Sequence, residues 1–174
     1  MICKVTHVGH DVCSADHKFT RPGGFPFYLL GYLLQGNYNF RANGVDRLFT
    51  PGWLSCLPPH IEYSVCFGGG ELPWTGYYIC FTAEGDIEDL LALPAIPTGH
   101  RGINLRGLSC EGQVLEAFRE ARAWKVENRL DWERFAANTV ERILLLAKNA
   151  LRDSEAGKRD LRIIKAQRYL GEHL

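Results

Sequence analysis

The sequence predicts a mainly β domain, built as a sandwich or barrel and followed by C-terminal helices. From Ile2 to about Phe81, short apolar runs alternate with Gly, Pro and Asn turn signals, which is the pattern of many short antiparallel strands. After Ala83 the apolar residues recur every three or four positions, which is the period of amphipathic helices. Closing the strands into a barrel or sandwich would also protect the exposed sheet edges.

Eight strands are predicted in the first half of the chain. The strongest turn signal is Asn43-Gly44, which lies between two strand-like runs and predicts a two-residue type I′ hairpin. Another turn, Pro51-Gly52, precedes a five-residue apolar strand that the stiff Pro58-Pro59 pair ends. The predicted strands are Ile2–Val8, His17–Thr20, Tyr28–Gln35, Tyr38–Ala42, Val45–Phe49, Trp53–Leu57, Glu62–Phe67 and Thr75–Phe81.

Two helices are predicted directly after the strands. A short helix covers Asp86–Leu93 and ends before Pro94, because proline cannot continue a helix. A second helix begins at Ser109 or Glu111 and runs to about Val126, since its apolar residues recur at helical spacing.

The last part of the chain predicts a long helix, a linker and a final helix. The long helix begins near Asp131, a residue type suited to the N-cap, and continues past Leu146. Ser154 to Gly157 is predicted to be a linker before a helix at Asp160–Leu174. We therefore divide the chain into a barrel at about 1–83, helices at about 86–153, a linker at 154–159 and a last segment at 160–174.

The composition is that of a globular domain without a charge bias. The 174 residues include 20 Lys and Arg and 20 Asp and Glu, so the formal net charge is zero. A phosphate-binding surface needs a cationic surplus, and the chain alone is therefore not expected to bind nucleic acid. The sequence has no apolar run long enough to cross a bilayer and no signal sequence, which predicts a cytoplasmic protein without a membrane partner.

The six cysteines do not form a metal or redox motif. No two of them are arranged as Cys-x-x-Cys, and several alternate with apolar residues inside predicted strands. We therefore expect buried, reduced thiols and no metal or other cofactor. The cysteines are Cys3, Cys13, Cys56, Cys66, Cys80 and Cys110.

The long helix has two faces that each contain apolar residues. One stripe, from Trp132 to Leu151, is sufficient to dock the helix on its own domain. The second face carries Phe135, Asn138, Arg142 and Leu145, and its apolar residues need another partner. A facing copy of the same helix would make a homodimer, with Asn138 setting the register. Alternatively, a loop or the final helix covers this face.

Taken in order, several segments resemble one family. RPGG, PGWLSCLPP, WTGYYICF, LLALPAI and NTVERILLL are similar to the N-terminal regulatory domain of the arabinose-responsive, AraC-type transcription regulators. KRDLRIIKAQRYLGEHL resembles the first helix of their helix-turn-helix DNA-binding domain, so we expect that domain to be truncated at 160–174. The resemblance implies a cupin-like jelly-roll barrel with an effector pocket, two packing and dimerisation helices, and DNA binding only through the missing C-terminal domain.

The resemblance also implies a set of pocket residues. Arg21 matches the arginine that contacts the sugar, and Tyr78 matches the tryptophan that stacks on it. Two polar contacts of the family are replaced here, so we expect a larger or more apolar pocket that holds a sugar or related small organic molecule other than arabinose. The strand-one contact is His7, or Thr6 if the register slips. The implied ligand-binding residues are His7, Phe19, Arg21, Phe25, Val65, Gly76 and Tyr78.

The same resemblance implies a dimer made by the helix that carries Asn138. Its contacts would be Arg134, Phe135, Asn138, Arg142 and Leu145, although Arg134 replaces a leucine of the family and weakens the apolar seam. The family's N-terminal arm has almost no counterpart, so a switch based on an arm is not expected.

Two other functions stay open at this point. A metal-dependent cupin enzyme needs two or three histidines and a carboxylate in the barrel, and His60 with Glu62 is the candidate pair. The sequence has no His-x-His pair and no recognisable nucleophile arrangement, so an enzyme is not expected. The third possibility is an oligomerising domain whose pocket is filled by its own side chains.

Overall fold

Nine strands and two helices make up the described part of the chain. The computed structural model describes residues 2–14, 17–68, 73–84, 87 and 89–173, with the backbone alone for most of 155–173. The elements are β1 (Ile2–Cys13), β2 (Lys18–Arg21), β3 (Tyr28–Gln35), β4 (Tyr38–Ala42), β5 (Val45–Phe49), β6 (Trp53–Leu57), β7 (Tyr63–Phe67), β8 (Trp74–Glu84), β9 (Arg101–Asn104), α1 (Glu111–Val126) and α2 (Trp132–His173).

The strands form two antiparallel sheets that face each other. The five-stranded sheet has the order β1-β8-β3-β6-β9, and the four-stranded sheet has the order β2-β7-β4-β5. Ring contacts join the sheets at both sides: His17, just before β2, touches Trp74 on β8, and Phe49 on β5 touches Trp53 on β6. This two-sheet barrel followed by helices confirms the predicted cupin-like jelly roll.

All eight predicted strands are present, and the best hairpin prediction is confirmed. Asn43 and Gly44 have φ values of 52° and 73°, the left-handed pair that a type I′ turn requires. The turn brings Ala42 opposite Val45 at the start of the β4–β5 ladder. One strand was missed: β9 pairs with β6, and its four residues are too few to show an alternating pattern.

The five-stranded sheet is buried on both faces. Its inner face joins the four-stranded sheet in an aromatic and aliphatic core. Its outer face carries a second core with α1 and α2, in which Ile79 and Phe81 of β8 pack with Phe118 of α1 and Val140 of α2. The docking stripe predicted for the long helix is confirmed, since Ala136, Val140, Ile143 and Ala147 are fully buried.

Two predicted features of the helical part are wrong. In the segment 86–93 the described residues form a single turn, in which the Leu90 and Leu91 N–H groups both donate to Ile87 O. Asp86 and Glu88 lie outside the described residues. The expected linker at 154–159 has a helical backbone, so the two predicted C-terminal helices are one, α2. A single glycine among helix-forming residues costs only about 1 kcal/mol, which does not end a helix. The division into domains stays a prediction.

Four of the six cysteines are buried and two are half-buried, and all six thiols are free, as expected. Burial raises the pKa of the Cys56 thiol to about 12 and that of Cys3 to about 11. These thiols are therefore protonated and unreactive at neutral pH. In the part of the chain that the structure describes, we find no helix long and apolar enough to cross a membrane.

Candidate functional site

A cavity of about 940 Å³ lies inside the barrel, between the two sheets. Strands from both sheets contribute to its wall, because alternate residues of each strand face inward. Because this volume is empty, the side chains of the barrel do not fill its interior. All seven residues that the sequence placed in an effector pocket line this cavity: His7, Phe19, Arg21, Phe25, Val65, Gly76 and Tyr78.

Arg21 lies at the opening of the cavity, on the edge strand β2. It lines the cavity and is still exposed to solvent. Its guanidinium carbon is 4.9 Å from the ring centroid of Phe25 and 5.8 Å from that of Phe19, so two aromatic rings hold the cation in place. It also pairs across the ladder with Tyr63. Burial raises the pKa of Tyr63 to about 12, against the opposing effect of the Arg21 charge.

Tyr78 and Tyr77 face opposite sides of β8. Both tyrosines are among the residues that line the cavity, and Tyr77 also stacks on Phe118 of α1 with a centroid distance of 6.2 Å. Opposite Tyr78 on β1 stands Gly9, where a β-carbon would overlap the Tyr78 ring. The absent side chain lets the ring lie flat across β1. Tyr78, the aromatic wall position implied by the sequence, thus lies against the backbone of β1 at the cavity wall.

A β-bulge decides which residue of β1 faces the cavity. Val5 pairs with Phe81 and His7 pairs with Cys80, so Thr6 is the extra residue of the bulge. The Thr6 hydroxyl donates to Cys80 O, and His7 is the residue that lines the cavity. Of the two possible registers, the one with His7 is therefore the one observed.

The two positions that depart from the family pattern have local explanations. A β-carbon at Gly76 would lie 2.7 Å from Tyr32 O, so the close approach of β3 and β8 requires glycine here. Val65 is buried and belongs to the apolar core inside the barrel. Both residues therefore shape the wall and leave its polar groups to other positions.

Several polar residues of the cavity were missed by the sequence reasoning. His100 is only 4% exposed and its Nδ1 is 3.1 Å from the Thr98 hydroxyl. Burial, with a smaller effect of Arg47, lowers the pKa of His100 to about 3, so the imidazole is neutral at physiological pH. Its ring is 4.2 Å from that of Phe40. A lone histidine in the loop before β9 carries no periodic signal that could have identified it.

Three more polar side chains complete this wall. Tyr38 and Ser55 are hydrogen-bonded to each other through their side chains, and both line the cavity. Trp74 also lines it, and its buried Nε1–H has no acceptor among the described residues. At the opening, Asp11 has a pKa raised by burial and lowered in part by His10 and His17.

The candidate metal ligands are not in the cavity. His60 and Glu62 are exposed in the connection between β6 and β7, and neither contributes to the cavity wall. His60 has a left-handed φ of 61°, as expected of a turn residue. No group of three His, Cys, Asp or Glu side chains suited to a metal occurs within the described ranges. The candidate pair of the metal-enzyme alternative thus lies outside the cavity.

The five residues expected at a dimer interface fall into two groups. Phe135 stacks on Trp124 of α1, and Arg142 pairs with Glu120 of α1 at 3.2 Å, so both have partners within the chain. Phe135 is thus half-buried against α1, a contact that neither alternative for this face included. The other three, Arg134, Asn138 and Leu145, are exposed on the outer face of α2. Arg134 and Asn138 also line a groove between α2 and β1.

A jelly-roll barrel with an internal cavity, an arginine at its opening and aromatic walls defines a small-molecule-binding domain. The family model described as the AraC-like ligand binding domain matches residues 4–123. The chain therefore belongs to this family, as the sequence resemblance indicated.

Two solved structures of ToxT show the same fold at low sequence identity. ToxT from Vibrio cholerae bound to (E)-4-(8-methylnaphthalen-1-yl)but-3-enoic acid has a TM-score of 0.52 at 10% identity, over 84% of this chain and 58% of that chain. Apo ToxT K231A has a TM-score of 0.51 at 10% identity, over 77% and 52%. A more distant match, a Cupin 2 conserved barrel domain protein from Salinispora arenicola CNS-205, has a TM-score of only 0.37 at 18% identity, over 44% of this chain and 61% of that chain. No curated protein sequence matches the chain.

Proposed function

We propose that the chain is the effector-binding and dimerisation domain of a cytoplasmic bacterial transcription regulator. The observation that carries the proposal is the 940 Å³ cavity with Arg21 at its opening, in a chain of this family. A cavity of this size suits a small organic molecule. The domain acts by binding and not by catalysis: an effector with different affinities for two arrangements of the regulator would shift their populations.

The effector that this cavity fits best is an organic acid with an apolar body. Among the described lining residues, Arg21 is the one permanently charged cation, and a guanidinium binds a carboxylate bidentately. Behind it the wall is rich in aromatic rings, including Phe19, Phe25, Phe40 and Tyr78, which offer more apolar surface than a sugar can use. This refines the expectation of a sugar or related molecule.

A structural relative supports this class of ligand. The ToxT structure cited above holds a butenoic acid with a naphthalene group, that is, a carboxylate on an apolar aromatic body. The barrel of the present chain offers a partner for each part of such a molecule: a cation at the opening for the carboxylate and aromatic walls for the apolar body. The identity of the acid is open to the experiment below.

The remaining parts of the proposal concern the partners. The chain spans 52% and 58% of the two ToxT chains, so a regulator of that kind has room for a further domain. We propose that a helix-turn-helix domain beyond this chain binds DNA, and that α2 joins two copies through its exposed face. Arg134, Asn138 and Leu145 lie on that face, and Arg142 and Phe135 border it.

The test is thermal unfolding of the chain with a panel of aliphatic and arylalkanoic acids, sugars and sugar acids. A ligand at a hundredfold over its Kd stabilises by about 2.7 kcal/mol, and we expect that effect from an acid. Arg21→Ala should abolish it without changing the melting temperature of the unliganded chain. The matched control is Lys18→Ala, since Lys18 is an exposed cation on the same strand that does not line the cavity. If an acid stabilises both variants equally, Arg21 does not contribute to its binding.

A further inference from the structure

Polar groups lie at both ends of the cavity, on opposite sides of the barrel. Arg21 is on β2, at one edge of the four-stranded sheet. His100 touches Phe40 on β4 and Phe49 on β5, at the other edge. Neighbouring strands are about 4.8 Å apart, so two to three strand spacings, roughly 10–14 Å, separate the two ends. An effector held by Arg21 can therefore reach the far side only if it is elongated.

Three polar side chains on the far side form a hydrogen-bonding site. We call this site the cavity floor and define it as His100, Tyr38 and Ser55. Ser55 and His100 are 5% and 4% exposed, so their polar atoms are removed from solvent. The contact with Thr98 uses Nδ1 of His100, and Nε2 is therefore the ring nitrogen that remains for a ligand. The Tyr38–Ser55 pair adds hydroxyl groups that can donate or accept.

A purely apolar effector would form no hydrogen bonds with the polar groups of the cavity floor. Buried polar groups cost free energy when a bound molecule separates them from water without replacing the hydrogen bonds. An effector with a group that hydrogen-bonds to the cavity floor avoids this cost. The site therefore binds an otherwise identical molecule without that group more weakly. A neutral imidazole can donate to or accept from an uncharged partner, so a hydroxyl or carbonyl fits here better than a second carboxylate.

We propose that the cavity floor recognises a hydroxyl or carbonyl group at the far end of the effector, which makes the preferred effector a two-ended molecule with a carboxylate at Arg21 and an uncharged polar group at His100. This inference rests on the proposed function of the same cavity. It makes His100, Tyr38 and Ser55 specificity-determining residues, with the aromatic walls binding the apolar body between the two ends.

The experiment compares pairs of acids that differ by one hydroxyl. The probes are ω-phenylalkanoic acids with two to five methylene groups and their para-hydroxy derivatives, titrated calorimetrically into the chain at pH 7. We expect one chain length at which the hydroxy acid binds about tenfold tighter than its parent, as one added hydrogen bond allows. His100→Phe, a change to a ring among the rings of Phe40 and Phe49, should make the two acids bind equally.

A second variant covers the case in which His100→Phe does not fold. Ser55→Ala removes one hydroxyl of the floor and should reduce the preference for the hydroxy acid at least threefold, while the parent acid binds as before. A wild-type chain that binds both acids equally, or a preference that survives in both variants, would overturn the inference. If binding of the parent acids still depends on Arg21, the proposed function stands. Acids that bind neither wild type nor Arg21→Ala overturn both proposals together.

Discussion

Trp124 of α1 and Phe135 of α2 stack with their rings 4.3 Å apart and only 3° from parallel. The pair fastens the start of α2 to the end of α1, and the Arg142–Glu120 ion pair lies further along the same two helices. Phe135 was expected to contact a second subunit, and part of its surface already packs against Trp124 within the chain. The surface left for a partner is therefore narrower and more polar than the sequence indicated.

The first prediction concerns this stack. Phe135→Ala should lower the free energy of unfolding by about 2–3 kcal/mol, because it removes a large, partly buried ring. In a double-mutant cycle with Trp124→Ala, the two rings should show a coupling of about 1 kcal/mol. The measurement is urea unfolding of the four proteins. Strictly additive effects would mean that the two rings contribute separately.

The second prediction concerns the oligomeric state. Leu145 is 44% exposed on the outer face of α2, so Leu145→Asp should convert a dimer into a monomer by placing charges in the helix–helix seam. The measurement is light scattering after size-exclusion chromatography.

Leu130 supplies the matched control for that experiment. It is 88% exposed in the connection between α1 and α2, outside the helix proposed to form the seam, and Leu130→Asp should leave the dimer intact. If the Leu145→Asp protein has the same oligomer mass as the wild type, α2 does not form the dimer interface.

The third prediction concerns the wall of the cavity. Gly9→Ala should destabilise the chain by about 1–3 kcal/mol and displace Tyr78, because the new methyl group would overlap its ring. Gly31 also faces the cavity, but its nearest neighbour would be Leu29 Cδ2 at an ordinary 3.6 Å. Gly31→Ala should therefore be tolerated. Unfolding free energies and the near-ultraviolet spectrum of tyrosine would test both variants, and equal losses would contradict the packing argument.

The fourth prediction concerns pH. His100 is neutral when buried, with a pKa of about 3 against an ordinary value of 6.5, so unfolding lets it bind a proton below pH 6.5. Its contribution to stability is therefore lost as the pH falls from 6.5 towards 3. Between pH 7 and pH 5 the loss should be about 2 kcal/mol.

The comparison that isolates this effect is between wild type and His100→Phe. Unfolding free energies measured from pH 7 to pH 5 should fall more steeply in the wild type, by the same 2 kcal/mol or so. Parallel curves would show that His100 does not titrate on unfolding.

Local patterns in the sequence predicted the strands, the Asn43-Gly44 hairpin and the buried stripe of α2. These features depend on residues only a few positions apart, through the backbone freedom of Gly and Asn or the period of apolar residues. The residues at the cavity opening, including Arg21, were predicted from the resemblance to a known family, which rests on the order of the motifs. The linker prediction failed because Ser154 to Gly157 contain turn-forming residue types whose weak preferences a continuous helix overrides.

Only the tertiary structure decided which side chains line the cavity and which pack elsewhere. The bulge at Thr6 turns His7 inward, Gly9 makes room for Tyr78, and the loop before β9 carries His100 to the far wall. Phe135 is directed to Trp124 in the same way. Each of these placements depends on contact between segments far apart in the chain. The sequence alone therefore determined the class of fold and the period of each element, while the long-range packing of two sheets and two helices determined the chemistry of the cavity.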